Sequence, residues 1–104
     1  MEASPDFTLQ DYQRLVQKLG HERGFDKETV SEVFTVLVEE VGELAKAIRK
    51  ANGQKVDIAS KQHAIGEEAA DVFCLLLDLC NRLGIDLSAA FIEKERKNRE
   101  RKWE

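Results

Sequence analysis

Apolar residues return every three or four positions through most of the chain, and a strict two-residue alternation is nowhere sustained. The first such run covers 7–22, with Leu9, Tyr12, Leu15, Val16 and Leu19 on one face. The stretch "GHERGFDKE" then breaks the pattern at two glycines. A second run, 27–51, has Val33, Leu37, Val41, Leu44 and Ile48 as its apolar centre and stops at Asn52 and Gly53, a C-terminal signal. "QKVDIASKQ" reads as a loop, with Ser60 placed to cap the next helix. The third run, 61–83, centres on Ile65, Val72, Leu76, Leu79 and Leu83 and ends at Gly84. A fourth starts after Asp86 or Ser88, either of which suits an N-cap, and continues toward "NRERKWE". Four helices and no strand make the expected class all-α.

The totals narrow this picture. A chain of 104 residues makes one small domain, 1–104, with room for one modest core. Apolar residues are 42% of it, and a single proline and six glycines leave long helices uninterrupted. Small helical chains often reach stability by oligomerising, because they bury too little surface alone. Charged residues are 35% with a net charge of −4, which argues against a general binder of nucleic acid. No apolar run approaches the roughly 20 residues that span a bilayer. The start, "MEASPDFTLQ", has neither the basic end nor the apolar centre of a signal peptide, so a cytoplasmic protein without a membrane partner is expected. Cys74 and Cys80, set among leucines in "CLLLDLC", read as two reduced core thiols.

Carboxylates disturb the apolar faces. "LVEEVGEL", 37–44, places three glutamates in the middle of the second helix. At about 100° per residue, Glu40 lies within roughly 40° of both Val33 and Leu44, inside the apolar arc, with Glu43 at its edge. Glu39 projects to the polar side with Lys46 and Lys50. On the third helix Glu68 falls between the directions of Leu75 and Leu79, Asp71 sits at the border beside Asp78 and Arg82, and Glu67 points away. Glu40/Glu43 and Glu68/Asp71 are both spaced i, i+3, so each pair shares a face.

One such pair, in a chain with twenty acidic residues, is ordinarily a solvated face. Two pairs on consecutive helices, each with a member inside an apolar arc, ask for more. Packed side by side, the helices would gather four carboxylates at the margin of the core. Burial and mutual repulsion both penalise their charge. Protonation, pairing with arginine or lysine, or a divalent cation would each relieve it. Four oxygen ligands without histidine or cysteine suit a hard ion such as Mg²⁺ or Mn²⁺. A di-iron centre needs Glu-x-x-His pairs, and neither His21 nor His63 follows a glutamate at that spacing. Gly42, at a cost of about 1 kcal/mol in mid-helix, is either room for a close helix approach or a tolerated defect.

The fourth helix ends in "EKERKNRERKW", where Lys94, Asn98 and Arg101 share one face. Such a row offers cationic and amide donors to phosphate oxygens, and equally complements the helix dipole. Glutamates 95, 100 and 104 interrupt the charge, which disfavours a nucleic-acid arm. Carboxylates that hold a metal and a row that holds phosphate belong together in chemistry on a polyphosphate. The chain has no GxxxxGK[ST] loop, so it does not use P-loop chemistry.

"EEVGEL", 39–44, followed by "EEAADV", 67–72, resembles the EExxE…ExxD motif of the MazG-like nucleoside triphosphate pyrophosphohydrolases, and "K…NRERKW" resembles that family's Lys…Asn-Arg end. The similarity runs over about 22–103. It implies a four-helix-bundle-like, all-α pyrophosphatase core working as a homodimer or homotetramer. The implied reaction is Mg²⁺-dependent cleavage of a nucleotide, often a deoxynucleotide, to the monophosphate and pyrophosphate, as in nucleotide-pool housecleaning. Related substrates would be dUTP or phosphoribosyl-ATP. Carried over by residue, Glu40, Glu43, Glu68 and Asp71 would hold the metal, and Glu39 would serve the attacking water or a second metal. Lys94, Asn98 and Arg101 would hold phosphate or sugar, in one arrangement from a neighbouring subunit. Where some relatives carry an aromatic residue four positions after the aspartate, this chain has Leu75, leaving Phe25 or Trp103 to stack on the base. A protein of another class, a non-catalytic helical interaction module, would have its acidic residues satisfied by arginines of a second subunit.

Overall fold

The computed structural model describes residues 2–53 and 65–101. The described residues form four helices and no strand: α1 (Leu9–Glu22), α2 (Val30–Ala51), α3 (Ile65–Arg82) and α4 (Leu87–Arg99). The loop at 54–62, the cap expected at Ser60 and the first turn expected at 61–64 lie outside the described residues, as does Trp103.

α1, α2 and α4 begin where a side chain answers their exposed amides. Thr8 accepts from the Asp11 N–H while the Asp11 carboxylate accepts from the Thr8 N–H, and Thr29 and Glu32 repeat that reciprocal pair. α1 and α2 therefore start two to three residues later than periodicity alone suggests, at the T-x-x-D and T-x-x-E signatures. Of the two candidates for α4, Asp86 is the cap, accepting from the Ala89 N–H at 3.1 Å. Gly20 lies inside α1 instead of breaking it. The stops come at Gly24, Gly53 and Gly84, each with φ near +70–80°, where a Cβ would be strained.

α2 and α3 form the central pair, α1 lies on α3, and α4 leans on α1. α2 and α3 run antiparallel: the start of α2 meets the end of α3 through Glu28 and Arg82, and Glu40 meets Glu68 further along. Val33 and Ala47 are buried in this seam with Leu37, Glu40 and Leu44 between them. Those five positions are spaced four and three residues apart, the rhythm of a packed helix stripe. Val41 and Ile48, expected in the apolar centre, are instead 47% and 42% exposed. They belong with Phe34 and Val38 to a second stripe one position round, which no described residue covers. On α3 the buried residues are Glu68, Leu77 and Cys80, while Ile65, Leu76 and, just past the helix end, Leu83, all expected in the apolar centre, are exposed. Cys74, expected in the core beside Cys80, is exposed.

An amide network holds α1 to the α3–α4 turn. Buried Gln13 donates through Nε2 to Asn81 Oδ1 (3.0 Å) and to the Ile85 carbonyl (2.9 Å), and accepts from the Leu87 N–H (2.9 Å). Asn81 Nδ2 returns a bond to the Gln13 carbonyl at 2.8 Å. Tyr12 adds an edge-on contact to Phe73, with ring centroids 5.7 Å apart. A Cβ at Gly42 would meet nothing within 4 Å, so the glycine admits no close approach among the described residues. Among the described residues, no helix is long and apolar enough to cross a membrane.

Candidate functional site

The antiparallel seam brings carboxylates from two helices to one point. Oxygens of Glu40, Glu68 and Asp71 all lie within 4.8 Å of one another. Glu68 is 5% exposed, Glu40 is half-buried and Asp71 opens to solvent. The cluster thus runs from the core to the surface, as the arc positions on the two helices require. Glu43, one turn beyond Glu40 and partly buried, lies outside this group of three but adds its charge to the same field. Glu39 and Glu67 are exposed.

Burial pushes the Glu40 pKa up, and a hydrogen bond shared with Glu68 and the charges of Asp71, Glu68 and Glu43 push it the same way. A proton between Glu40 and Glu68 is one way to relieve the repulsion. A divalent cation is the other, and the donor set fits a hard one: three carboxylates from two rigid helices, one of them buried, with neither nitrogen nor sulfur among them.

Beside the cluster lies a cavity of about 230 Å³, lined by Val16, Leu19, Phe25, Val36 and Leu75 with Cys74 and Asp78. Val36 is one turn before Glu40 on α2, and Cys74 and Leu75 are one turn after Asp71 on α3. The cavity is therefore the continuation of the carboxylate seam toward α1. Phe25, in the α1–α2 connection and half-exposed, forms part of its rim. Cys74 is exposed as a residue, but partial desolvation of its thiol against this wall, with the charges of Asp78 and Asp71, pushes the thiol up, against a smaller opposite effect of Arg23.

Lys94, Asn98 and Arg101 do not join this arrangement within the described chain. Lys94 and Asn98 lie on α4, and Arg101 falls past its end, its N–H bonded to the Asn98 carbonyl at 3.2 Å. α4 begins at the far end of α3 from the carboxylates and leans on α1. Arg82 is a residue of the site region that periodicity gave no reason to choose. Its signal was only its place at the end of an apolar helix.

Residues 28–103 match the model of the MazG nucleotide pyrophosphohydrolase domain, a stretch that includes all four paired carboxylates. The chain belongs to the MazG family. It is 33% identical over 103 residues to dCTP pyrophosphatase 1 of Rattus norvegicus, and equally to that of Mus musculus, covering 94% of this chain. It spans 61% of the length of those relatives. The crystal structure of YPJD from Bacillus subtilis, a provisionally assigned pyrophosphatase, superposes with a TM-score of 0.80 at 28% identity. That match covers 95% of this chain and 100% of the other. The MazG-type helical architecture and the resemblance read from "EEVGEL" and "EEAADV" thus agree.

Proposed function

We propose that the chain is a Mg²⁺-dependent pyrophosphohydrolase that cleaves a nucleoside triphosphate between its α- and β-phosphates, releasing the monophosphate and pyrophosphate. One observation carries this reading: Glu40, Glu68 and Asp71 meet within 4.8 Å, one helical turn from residues that line a nucleobase-sized cavity, in a chain of the MazG family. Glu40, Glu68 and Asp71, with Glu43 beside them, would hold Mg²⁺, with Mn²⁺ as a substitute. Once bound, the ion neutralises and polarises the triphosphate. Glu39, exposed on the position just before Glu40, is proposed to orient the attacking water.

The apolar cavity takes the base in this reading, with Phe25 stacking against it. Its walls suit a flat, mostly apolar ring with a few polar edges, and the name of the rodent relatives puts dCTP first among candidates. Lys94, Asn98 and Arg101, which stand off from the cluster of their own protomer, are assigned to phosphate or sugar in a neighbouring subunit. The uncovered stripes of α2 and α4 support such a homo-oligomer.

The test is pyrophosphate release from a panel of dNTPs, NTPs and phosphoribosyl-ATP, with Mg²⁺ or Mn²⁺ and with chelator. We expect release from dCTP that chelator abolishes and that Glu68→Gln lowers by at least about a hundredfold. Absence of pyrophosphate from every substrate, or full activity in both Glu40→Gln and Glu68→Gln, overturns the reading.

A further inference from the structure

Arg82 ends α3 and spends all three of its guanidinium nitrogens on one neighbourhood. Nε donates to Asp78 Oδ1 at 2.8 Å, one turn back on the same helix. One terminal nitrogen donates to the Glu28 carbonyl, and the other to the Phe25 carbonyl at 2.6 Å. The side chain is 15% exposed. Both carbonyls belong to the short connection between α1 and α2, and Phe25 and Glu28 both line the cavity beside the carboxylates. So does Asp78, which the same guanidinium holds in place.

Its other ties are bonds to the end of α1 and within the connection itself, with His21 pairing with the Asp26 carboxylate at 3.0 Å. Gly24 turns it through a left-handed conformation, and the Phe25 N–H bonds back to the Gly20 carbonyl at 2.8 Å. The Phe25 ring itself is 50% exposed. With half of the ring in solvent, its place at the cavity depends on its backbone, and among the described residues Arg82 reaches that backbone from α3. A planar fork of fixed donors can satisfy two carbonyls and a carboxylate together, whereas a lysine ammonium on a flexible stem meets such a set poorly.

We propose that Arg82 is a positioning residue for nucleotide binding: it pins the Phe25–Glu28 segment to α3 so that the Phe25 ring stands as a wall of the base slot. This rests on the reading that the cavity receives the base. Arg82 touches neither the carboxylates nor the phosphates in that reading. Its loss acts on how well substrate is held, and little on the bond-breaking step.

The experiment compares full-length wild type with Arg82→Met, Arg82→Lys, Phe25→Ala and the Arg82→Met/Phe25→Ala double variant. Steady-state hydrolysis of dCTP with Mg²⁺ is measured alongside amide hydrogen exchange at residues 25–28. We expect Arg82→Met to speed exchange there and to raise KM about tenfold, with kcat within about twofold. Arg82→Lys should fall between it and wild type. The double variant should be no worse than the poorer single one, because both changes remove the same wall. Should Arg82→Met not fold, Arg82→Lys carries the comparison. Unchanged exchange at 25–28, or a loss confined to kcat, overturns the assignment of Arg82. If Phe25→Ala raises KM while the Arg82 variants do not, the Arg82 proposal alone falls. An unchanged KM in Phe25→Ala removes the base slot, and the role of Arg82 with it.

Discussion

Glu40 occupies a seam position between Leu37 and Leu44, and its carboxyl is held above the ordinary carboxylate range by burial first and by its acidic neighbours second. A folded-state pKa above the unfolded one means that the native protein binds the proton more tightly. The metal-free protein then loses stability as pH rises from the ordinary carboxylate pKa through the raised one. Well below that window both states are protonated and the penalty is absent. A divalent cation competes with the proton for the same oxygens. We therefore expect Mg²⁺ to raise the melting temperature clearly at pH 8 and less at pH 5. At a concentration a hundredfold above Kd the gain at pH 8 is about 2.7 kcal/mol. Calorimetric scans with and without chelator check this, and Glu40→Gln should flatten both the metal and the pH dependence. The acidic cluster was legible because the i, i+3 pairs and their arc positions follow from helix geometry. That Glu43 lies outside the tight group of three was not, because it turns on how far each helix is rotated against the other.

At the scale of elements, the ends of the helices are set locally and the joints between them are not. Thr29→Ala removes the acceptor for the Glu32 N–H and should cost about 1 kcal/mol in denaturant melts, with activity retained. Gln13→Ala should cost more, about 2–3 kcal/mol, because it removes three part-buried hydrogen bonds that tie α1 to the α3–α4 turn. The same urea titrations rank the two, and an equal loss would argue against the network. Thr8 and Thr29 could have been found by their capping-box spacing. Gln13 could not, since its partners lie 68 to 74 residues away and a lone amide on an amphipathic helix points to none of them.

For the whole molecule, the scarcity of buried apolar residues matters most. Among the described residues the buried hydrophobic set is Leu15, Val33, Ala47, Leu77 and Cys80. Against it stand Phe34, Val38, Val41 and Ile48 along α2, and Phe91 and Ile92, each 66% exposed, on α4. A protein of this size rarely leaves such stripes in water, and pairing them with a second copy would supply the missing core. On an isolated protomer a charge at Val38 would change stability by no more than about 0.5 kcal/mol. In the proposed homo-oligomer Val38→Glu should split the assembly and lower hydrolysis together. Light scattering coupled to gel filtration reads the first effect. An unchanged mass would rule that face out as the contact.

The sequence alone determined that this is an all-α chain, roughly where its helices run, and which carboxylates face inward. Those properties depend on turn geometry and on caps a few residues away. Only the tertiary structure decided which of two adjacent apolar stripes on α2 packs on α3. The stripes differ by one residue and are similarly apolar, so periodicity weighs them alike. Packing along Val33, Leu37, Leu44 and Ala47 is what carries Glu40 onto Glu68 and Asp71. It also places the Arg82 guanidinium against two backbone carbonyls more than fifty residues earlier in the chain, a meeting that no local rule encodes.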